Sequence, residues 1–255
     1  MKISALILTL NEEEMIKDCL KQLDFVDEII VLDQNSSDKT VNIAKKYGAK
    51  VNTSKFSSFD KNRNMLKDLA QGQWLLYVDA DERLTKESKI EIKNAIKNNQ
   101  YSAFYFPRKN YILGKWVKHG GWWPDYTPRL FKKDKLKKWQ GKVHESPLVS
   151  GNFGYFRHPI NHLSGRNLSQ MFSKSIKWAK IEAQLLKETG YTKVNILSVL
   201  KLASVEFIRR FLIKAGFLDG TVGLIEAIYQ ALHQAMVLTY LWEMRHIPDK
   251  NFKKT

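Results

Sequence analysis

Short apolar runs alternate with stretches of helical periodicity through the first hundred residues of the chain. Brief apolar runs, as buried strands require, lie at residues 3–9, 28–33 and 73–79, and residues 49–52 are expected to form a further short strand. Between them, apolar side chains recur every third or fourth residue, as Ile16, Leu20 and Leu23 do, which predicts amphipathic helices. Strands and helices in alternation are typical of βαβ units. The pattern therefore predicts an α/β fold built on a mainly parallel sheet.

Polar residues predict where the first two helices begin. Asn11, with Glu14 three residues later, has the spacing of a capping box, in which the two side chains bind free backbone N–H groups. Ser37 and Asp38 precede the next helical stretch, which is expected to end near Gly48. Both helices then start in the loops that follow the first two predicted strands.

The pattern changes after residue 101. Two further strands are predicted at residues 102–108 and 127–132, and a loop rich in glycine and tryptophan separates them. From Asn167 onward the chain has helical periodicity with glycines as interruptions. We therefore predict an α/β domain over residues 1–165 and a helical C-terminal extension over residues 166–255.

The charge of the chain points to an anionic partner. Its 255 residues carry a formal net charge of +16, and residues 101–150 hold eleven Lys and Arg against three Asp and Glu. Such an excess leaves nucleic acid, anionic lipid and a phosphorylated small molecule open as partners. The single cysteine, Cys19, excludes an intramolecular disulfide framework and a zinc site built from cysteines.

Polar side chains follow three of the predicted strands, where ligands bind in doubly wound sheets. No G-x-G-x-x-G follows the first strand and no G-x-x-x-x-G-K-[ST] occurs, which argues against a dinucleotide cofactor and a P-loop. Asp79 and Asp81 leave an apolar strand two residues apart, and such oxygen ligands suit Mg²⁺ or Mn²⁺ bridged to phosphates. The alternative interpretation of this Asp-x-Asp string is an ordinary loop before a helix cap.

Four segments in order, ALILTLNEEE, EIIVLDQNSSDKT, FDKNRN and QWLLYVDADE, resemble a family 2 glycosyltransferase of the GT-A fold. The later segments YTPRLFKKDKL, KVHES and INHL are similar to the subgroup that decorates bacterial lipopolysaccharide core or related surface glycans. The resemblance covers residues 3–245. It implies a mainly parallel sheet with helices on both faces, and inverting transfer of a sugar from a nucleotide-sugar donor, UDP-linked, with Mg²⁺ or Mn²⁺.

The resemblance also implies roles for residues at the donor site. The base and ribose would be held by Asp33 together with the loop after the first strand, which comprises Thr9, Leu10, Asn11 and Glu12. Lys61 and Arg63 would lie on a helix opposite the diphosphate. Asp79 would bind the ribose or the metal, Asp81 would bind the metal directly, and His162 would complete the metal site, although a lone histidine is as readily structural.

The catalytic base is expected among two carboxylates. Inverting transfer needs a carboxylate to take the proton of the acceptor hydroxyl. The resemblance assigns this role to Glu145, and Asp125 is the alternative. Trp122 and Trp123 are expected to stack on sugar, or else to pack in the interior, and Arg129 is expected to bind a phosphate or to pair with a carboxylate.

The expected acceptor is a hydroxyl of a surface glycan or of a lipid-linked saccharide, and the expected location is the cytoplasm or, peripherally, the inner face of the cell membrane. Residues 194–213 are apolar but interrupted by basic residues, which predicts a helix lying in the plane of an anionic membrane. The alternatives are burial against the α/β domain and a homodimer through the C-terminal helices. The competing hypothesis is a basic nucleic-acid-binding protein without catalysis. The sequence contains no nucleic-acid-binding motif, so nucleic acid is not expected as a partner.

Overall fold

The computed structural model describes residues 1–56, 58–98, 100–141, 145–191 and 194–247. The chain forms two compact units. Unit 1 contains Met1–Lys109 and Pro124–Leu163, and unit 2 contains Asn110–Trp123 and the chain from Ser164 onward. That residues 1–165 and 166–255 are separate domains stays a prediction.

Unit 1 alternates strands and helices along its first hundred residues. The helices are α1 (Glu13–Lys21), α2 (Thr40–Lys46), α3 (Phe59–Leu69) and α4 (Lys86–Ala95). The strands that lie among them are β1 (Ile3–Thr9), β2 (Glu28–Asp33), β3 (Lys50–Thr53), β4 (Trp74–Tyr77) and β5 (Glu82–Leu84). The later strands of the chain are β6 (Ala103–Ile112), β7 (Lys115–Trp116), β8 (Asp125–Lys132), β9 (Leu136–Gln140), β10 (Ser146–Val149), β11 (Phe153–Tyr155) and β12 (Ile160–Gly165). Of these, β7 and the last residues of β6 and β12 belong to unit 2.

The main sheet has the strand order β3-β2-β1-β4-β8-β6-β12-β5. Its first four strands pair in parallel, whereas β8 pairs antiparallel with both β4 and β6, and β12 pairs antiparallel with β5. The strands β9 and β10 form a separate two-stranded hairpin. Because β1, β2 and β4 are parallel neighbours, their carboxyl ends meet at one edge of the sheet.

The sheet of unit 1 is covered on both faces. Alternate residues of β1 point to opposite sides, so Ile3, Ala5 and Ile7 join one buried cluster and Leu6 joins the other. The first cluster takes up the apolar faces of α1, α2 and α4, and the second takes up α3 with β9. Buried Cys19 belongs to the first cluster. The predicted α/β sheet with helices on both faces is confirmed.

The predicted capping box at Asn11 is wrong. Helix α1 begins at Glu13, and in the part of the chain that the structure describes its N-cap residue Glu12 makes no side-chain cap hydrogen bond. Asn11 instead has a left-handed backbone with φ of 55° and accepts a hydrogen bond from the backbone N–H of Ser37. Asparagine tolerates this conformation well, so the residue serves the loop and not the helix.

Unit 2 contains α5 (Leu168–Glu188), α6 (Ile196–Ile208) and α7 (Gly220–His246), with a π-helical turn at Arg209–Ile213 and a 3-10 turn at Gly216–Asp219. Side-chain caps at Asn167 and Asn195 start α5 and α6. A buried cluster on α5 and α7 joins these two helices. The predicted helical C-terminal region is confirmed. Over the described residues, no helix has the length and apolar character needed to cross a membrane.

Glu226 of α7 is a buried carboxylate whose ionisation opposes folding. Burial raises its pKa to about 7, and of the described residues none gives its Oε2 a hydrogen bond, although the Gln230 amide binds Oε1 at 2.7 Å. The folded chain therefore keeps a proton that the unfolded chain releases, so the free energy of unfolding falls as pH rises towards 7.

We expect Glu226→Gln to remove this dependence. The unfolding free energy of the variant relative to the wild type should increase by about 3 kcal/mol between about pH 4 and pH 8. Urea unfolding of both proteins across this range measures the difference, and a difference that stays constant with pH would contradict the prediction. Other titrating groups affect both proteins alike and cancel in the comparison.

Candidate active site

Asp33 is held rigidly where β2 ends beside β1. Its Oδ1 accepts hydrogen bonds from Thr9 Oγ1 at 3.0 Å and from Ser36 Oγ at 2.6 Å, and its Oδ2 accepts the Ser36 N–H at 2.8 Å. The parallel register sets Thr9 opposite Asp33, which explains the first contact. The sequence therefore predicted correctly that these two residues end neighbouring strands.

The loops after β1 and β2 are tied to each other. The backbone N–H of Asn11 donates to Ser36 Oγ at 2.8 Å, and the N–H of Glu12 donates to Thr40 Oγ1 at 2.8 Å. Leu10, between Thr9 and Asn11, is 42% exposed. The four residues predicted to hold a base and ribose thus form one braced loop edge with Asp33.

Asp79, just beyond β4, lies between two buried arginines. Arg129 of β8 binds Asp79 Oδ2 through Nη2, which also contacts Glu82 Oε1 at 2.6 Å. Arg63 of α3 approaches Asp79 Oδ1 with Nη2 at 3.5 Å. Arg129 is therefore paired with carboxylates, which is one of the two roles expected for it.

Opposite charges keep this cluster ionised. Burial alone would raise the pKa of Asp79, but the Arg129 and Arg63 guanidinium groups outweigh it and hold that pKa below its usual range. Burial likewise tends to lower the pKa of Arg129, and the Asp79 and Glu82 carboxylates raise it instead. Arg129 also keeps Glu82 as a partner, so the buried charges balance one another as a network and not as one isolated pair.

Asp81 and His162 come together as a pair of metal-ligand types. His162 Nε2 lies 3.5 Å from Asp81 Oδ2, because β12 pairs with β5 directly after the Asp-x-Asp string and Leu163 N–H donates to the Asp81 carbonyl at 2.9 Å. Within the described residues, no group of three or more His, Cys, Asp and Glu side chains could hold a metal ion. A pair of this kind fits a cation that takes its remaining ligands from phosphate oxygens and water, as Mg²⁺ commonly does.

Glu145 and Asp125 are each bound to one arginine. Glu145 Oε1 accepts from Arg63 Nε at 2.9 Å, and Arg63 in turn approaches Asp79. Asp125 Oδ2 accepts from Arg108 Nε at 2.8 Å. The Arg63 guanidinium group therefore links Glu145 to Asp79. Residues 142–144 of the KVHES segment lie outside the described residues.

Arg63 and Lys61 share helix α3 but have different surroundings. Arg63 is buried, with its guanidinium carbon 4.7 Å from the Trp139 ring centre and 5.5 Å from that of Tyr77. The exposed Lys61 lies 5.8 Å from the centre of the Phe56 ring. Only Arg63 of the two is thus placed among the carboxylates by contacts in unit 1.

The β9–β10 hairpin, which starts its second strand directly after Glu145, is clamped to helix α3. The Asn64 amide donates to the Trp139 carbonyl at 2.9 Å, and its Oδ1 accepts the Trp139 N–H at 2.8 Å. A side-chain amide that binds both groups of a backbone unit acts as a pairing partner for the strand. The clamp fixes the hairpin next to the helix turn that carries Arg63.

Glu82 and Arg108 join the site without having been predicted. The Glu82 side chain is almost fully buried, and its Oε1 lies 3.8 Å from Arg108 Nη1 as well as near Arg129. Glu82 directly follows Asp81 in the DADE string, and this position could have indicated that Glu82 belongs to the site. Arg108 has no comparable local signal, because only the β6–β8 register sets it opposite Asp125.

The two tryptophans belong to unit 2. Trp122 packs with Val117 and Met171, and the Arg210 guanidinium carbon lies 5.6 Å from its ring centre. Trp123 is 36% exposed and meets Trp116 edge to face at 5.5 Å. Contact of Trp122 and Trp123 with sugar stays a prediction.

Known proteins of one kind resemble this chain. A family model described as glycosyl transferase family 2 matches residues 4–171. An uncharacterised glycosyltransferase of Rickettsia conorii is 26% identical over 95% of this chain and 90% of its own length. The glycosyltransferase SunS of Bacillus subtilis is 31% identical over 66% of this chain and 41% of its own. A crystal structure of S. aureus TarS 1-349 in complex with UDP covers 100% of this chain and 94% of that one, with a TM-score of 0.50 and 16% identity.

Proposed function

Because the chain belongs to glycosyl transferase family 2, we propose that it moves a sugar from a UDP-linked donor to a hydroxyl of a surface glycan or lipid-linked saccharide. The predicted family and the GT-A type of α/β fold are confirmed by the family match and by the similarity to TarS. The observation that carries the proposal is the arrangement around Arg63, which contacts both a carboxylate beyond β4 and the carboxylate at Glu145.

The donor nucleotide is proposed to bind at the braced edge formed by the loops after β1 and β2. Asp33 offers a buried carboxylate held by Thr9 and Ser36, and such a fixed acceptor suits the donor groups of a base or ribose. The presence of UDP in the TarS structure supports a uridine nucleotide here. Asp79, next along the sheet edge, is the neighbouring donor-side carboxylate.

Departure of the nucleoside diphosphate requires positive charge where its phosphates lie. Arg63 is the basic residue of α3 that approaches this edge, and its ring contacts with Trp139 and Tyr77 limit its movement. Such preorganised charge stabilises the transition state without reorganisation. Asp81 and His162 would hold Mg²⁺ or Mn²⁺, which when bound supplies further positive charge to the diphosphate.

Glu145 is the proposed base and Asp125 the alternative. In the transfer, the Glu145 carboxylate takes the proton of the acceptor hydroxyl while that oxygen bonds to the anomeric carbon and the bond from this carbon to the diphosphate oxygen breaks. The configuration at the anomeric carbon is thereby inverted. The hydrogen bond from Arg63 orients Glu145 through the same side chain that reaches Asp79.

Thermal unfolding with a panel of nucleotide sugars tests the proposal. We expect UDP-sugars with Mn²⁺ to raise the melting temperature more than GDP-sugars do, because the proposed site binds uridine nucleotides. A ligand at 100 times its Kd increases the free energy of unfolding by about 2.7 kcal/mol, which gives a measurable shift. Asp33→Asn should lose most of this shift. Asp24→Asn, which changes an exposed carboxylate paired with Lys89, should keep it and serves as the matched control.

The nucleic-acid alternative would be supported by two results together. No nucleotide sugar would change the melting temperature, and the protein would bind random oligonucleotides with an affinity that falls as salt increases. Release of UDP on addition of a saccharide acceptor completes the test of transfer. The glycosidic linkage of the product then identifies the acceptor hydroxyl.

A further inference from the structure

Helix α6 has its apolar residues on the outside. Of its thirteen residues, all of them within the described chain, only Glu206 is buried. Ile196 and Leu197 are 74% and 72% exposed, and Leu200 is 58% exposed. A helix this apolar with a carboxylate as its buried residue has a face that requires a further partner.

The exposed apolar face continues beyond α6 into the two turns that follow it. Leu212 and Ile213 of the π-helical turn are 55% and 75% exposed, and Leu218 of the 3-10 turn is 60% exposed. We call this surface the α6 face, defined by Ile196, Leu197, Leu200, Leu212, Ile213 and Leu218.

The described stretch 194–219, which contains the α6 face, has exposed positively charged side chains and no exposed negatively charged ones. Glu206 is buried and bound by Arg209 and Arg210, each at 2.6 Å. Asp219 is also buried, and it accepts the His119 N–H at 2.7 Å. Lys201 and Lys214 are exposed.

We propose that the α6 face docks on an anionic lipid surface, with α6 lying in the plane of the interface. Aliphatic side chains enter the boundary of the acyl chains, and Lys201 and Lys214 meet the lipid phosphates. A second copy of the chain fits less well, because a two-fold interface would bring the same lysines towards each other without a carboxylate to offset them. Charge complementarity thus selects the membrane.

Two basic residues of this segment have another role. Arg209 and Arg210 neutralise buried Glu206, and Arg210 also donates to the Gly120 carbonyl at 3.1 Å. These contacts hold the turn after α6 in place. Substituting the two arginines would therefore disturb the fold of unit 2, and the lysines are the informative positions.

Flotation with lipid vesicles tests the proposal on the full chain, with phosphatidylglycerol vesicles set against phosphatidylcholine vesicles. We expect binding to the anionic vesicles that weakens as salt increases. Lys201→Gln with Lys214→Gln should lower the partition coefficient roughly thirtyfold at low salt. Leu197→Gln with Ile213→Gln should lower it by at least about tenfold. Ile90→Gln, on α4 and 60% exposed, should leave binding unchanged as the matched control.

Absence of flotation at low salt would overturn the proposal, and a stable dimer by sedimentation that dissociates in the Leu197→Gln, Ile213→Gln variant would assign the α6 face to a second copy. Equal binding of the wild type to both vesicle types would overturn the role of the lysines. Unchanged melting temperatures of the variants show that a loss of binding comes from the surface and not from unfolding. The measurement needs no donor or acceptor, so its outcome is independent of the proposed transfer.

Discussion

Glu145→Gln is expected to lower kcat for sugar transfer by about a hundredfold to ten-thousandfold, with donor affinity nearly unchanged. Glutamine keeps an oxygen that can accept the Arg63 Nε–H, so the contact at 2.9 Å is preserved while the basic carboxylate is lost. Steady-state kinetics with varied acceptor, together with calorimetry of donor binding, separate these two effects.

Asp125→Asn is the matched comparison, because it likewise replaces a carboxylate bound to one arginine and keeps an acceptor for Arg108. It should reduce kcat far less than Glu145→Gln. The reverse order would assign the base to Asp125 and leave Glu145 as a partner that positions Arg63.

Asp81→Asn is expected to abolish nearly all transfer and to weaken Mn²⁺ binding in the presence of UDP. The substitution removes the charged half of the Asp81–His162 pair, but it leaves the backbone hydrogen bond from Leu163 N–H to the residue 81 carbonyl in place. Titration of Mn²⁺ by calorimetry measures binding apart from turnover.

Removal of divalent metal with EDTA should likewise stop the wild-type reaction, and added Mn²⁺ should restore it. Asp134→Asn alters an exposed carboxylate 3.5 Å from Lys135 and should behave as the wild type does in both assays. Full activity of the wild type in EDTA would refute the metal-assisted proposal.

The predictable part of the site is the part encoded by consecutive residues. The apolar run before Asp79 fixes where that strand ends, and the parallel order of neighbouring strands brings Thr9 and Asp33 to the same edge. The capping box predicted at Asn11 does not form, because the same polar side chain can cap a helix or brace a loop. Local sequence does not distinguish the two, since Ser37, its partner, lies 26 residues away.

The unpredicted part depends on pairings between distant strands. Arg129 meets Glu82 across 47 residues, and Arg108 meets Asp125 through the register of two antiparallel strands. No periodicity encodes such contacts, because each requires knowing which strands become neighbours. The partner of α6 is likewise not encoded locally, since an apolar segment has the same pattern whether it packs on protein or on lipid.

Arg63 has one positive charge and two carboxylate neighbours, Asp79 and Glu145. In the proposed reaction, a phosphate bound beside Asp79 would compete for the charge that orients Glu145, so occupancy of the proposed donor site would alter the proposed base. The two proposed substrates would then be energetically linked through a shared counter-ion. Linkage is reciprocal, so whatever factor the nucleotide sugar imposes on acceptor affinity, the acceptor imposes on the nucleotide sugar.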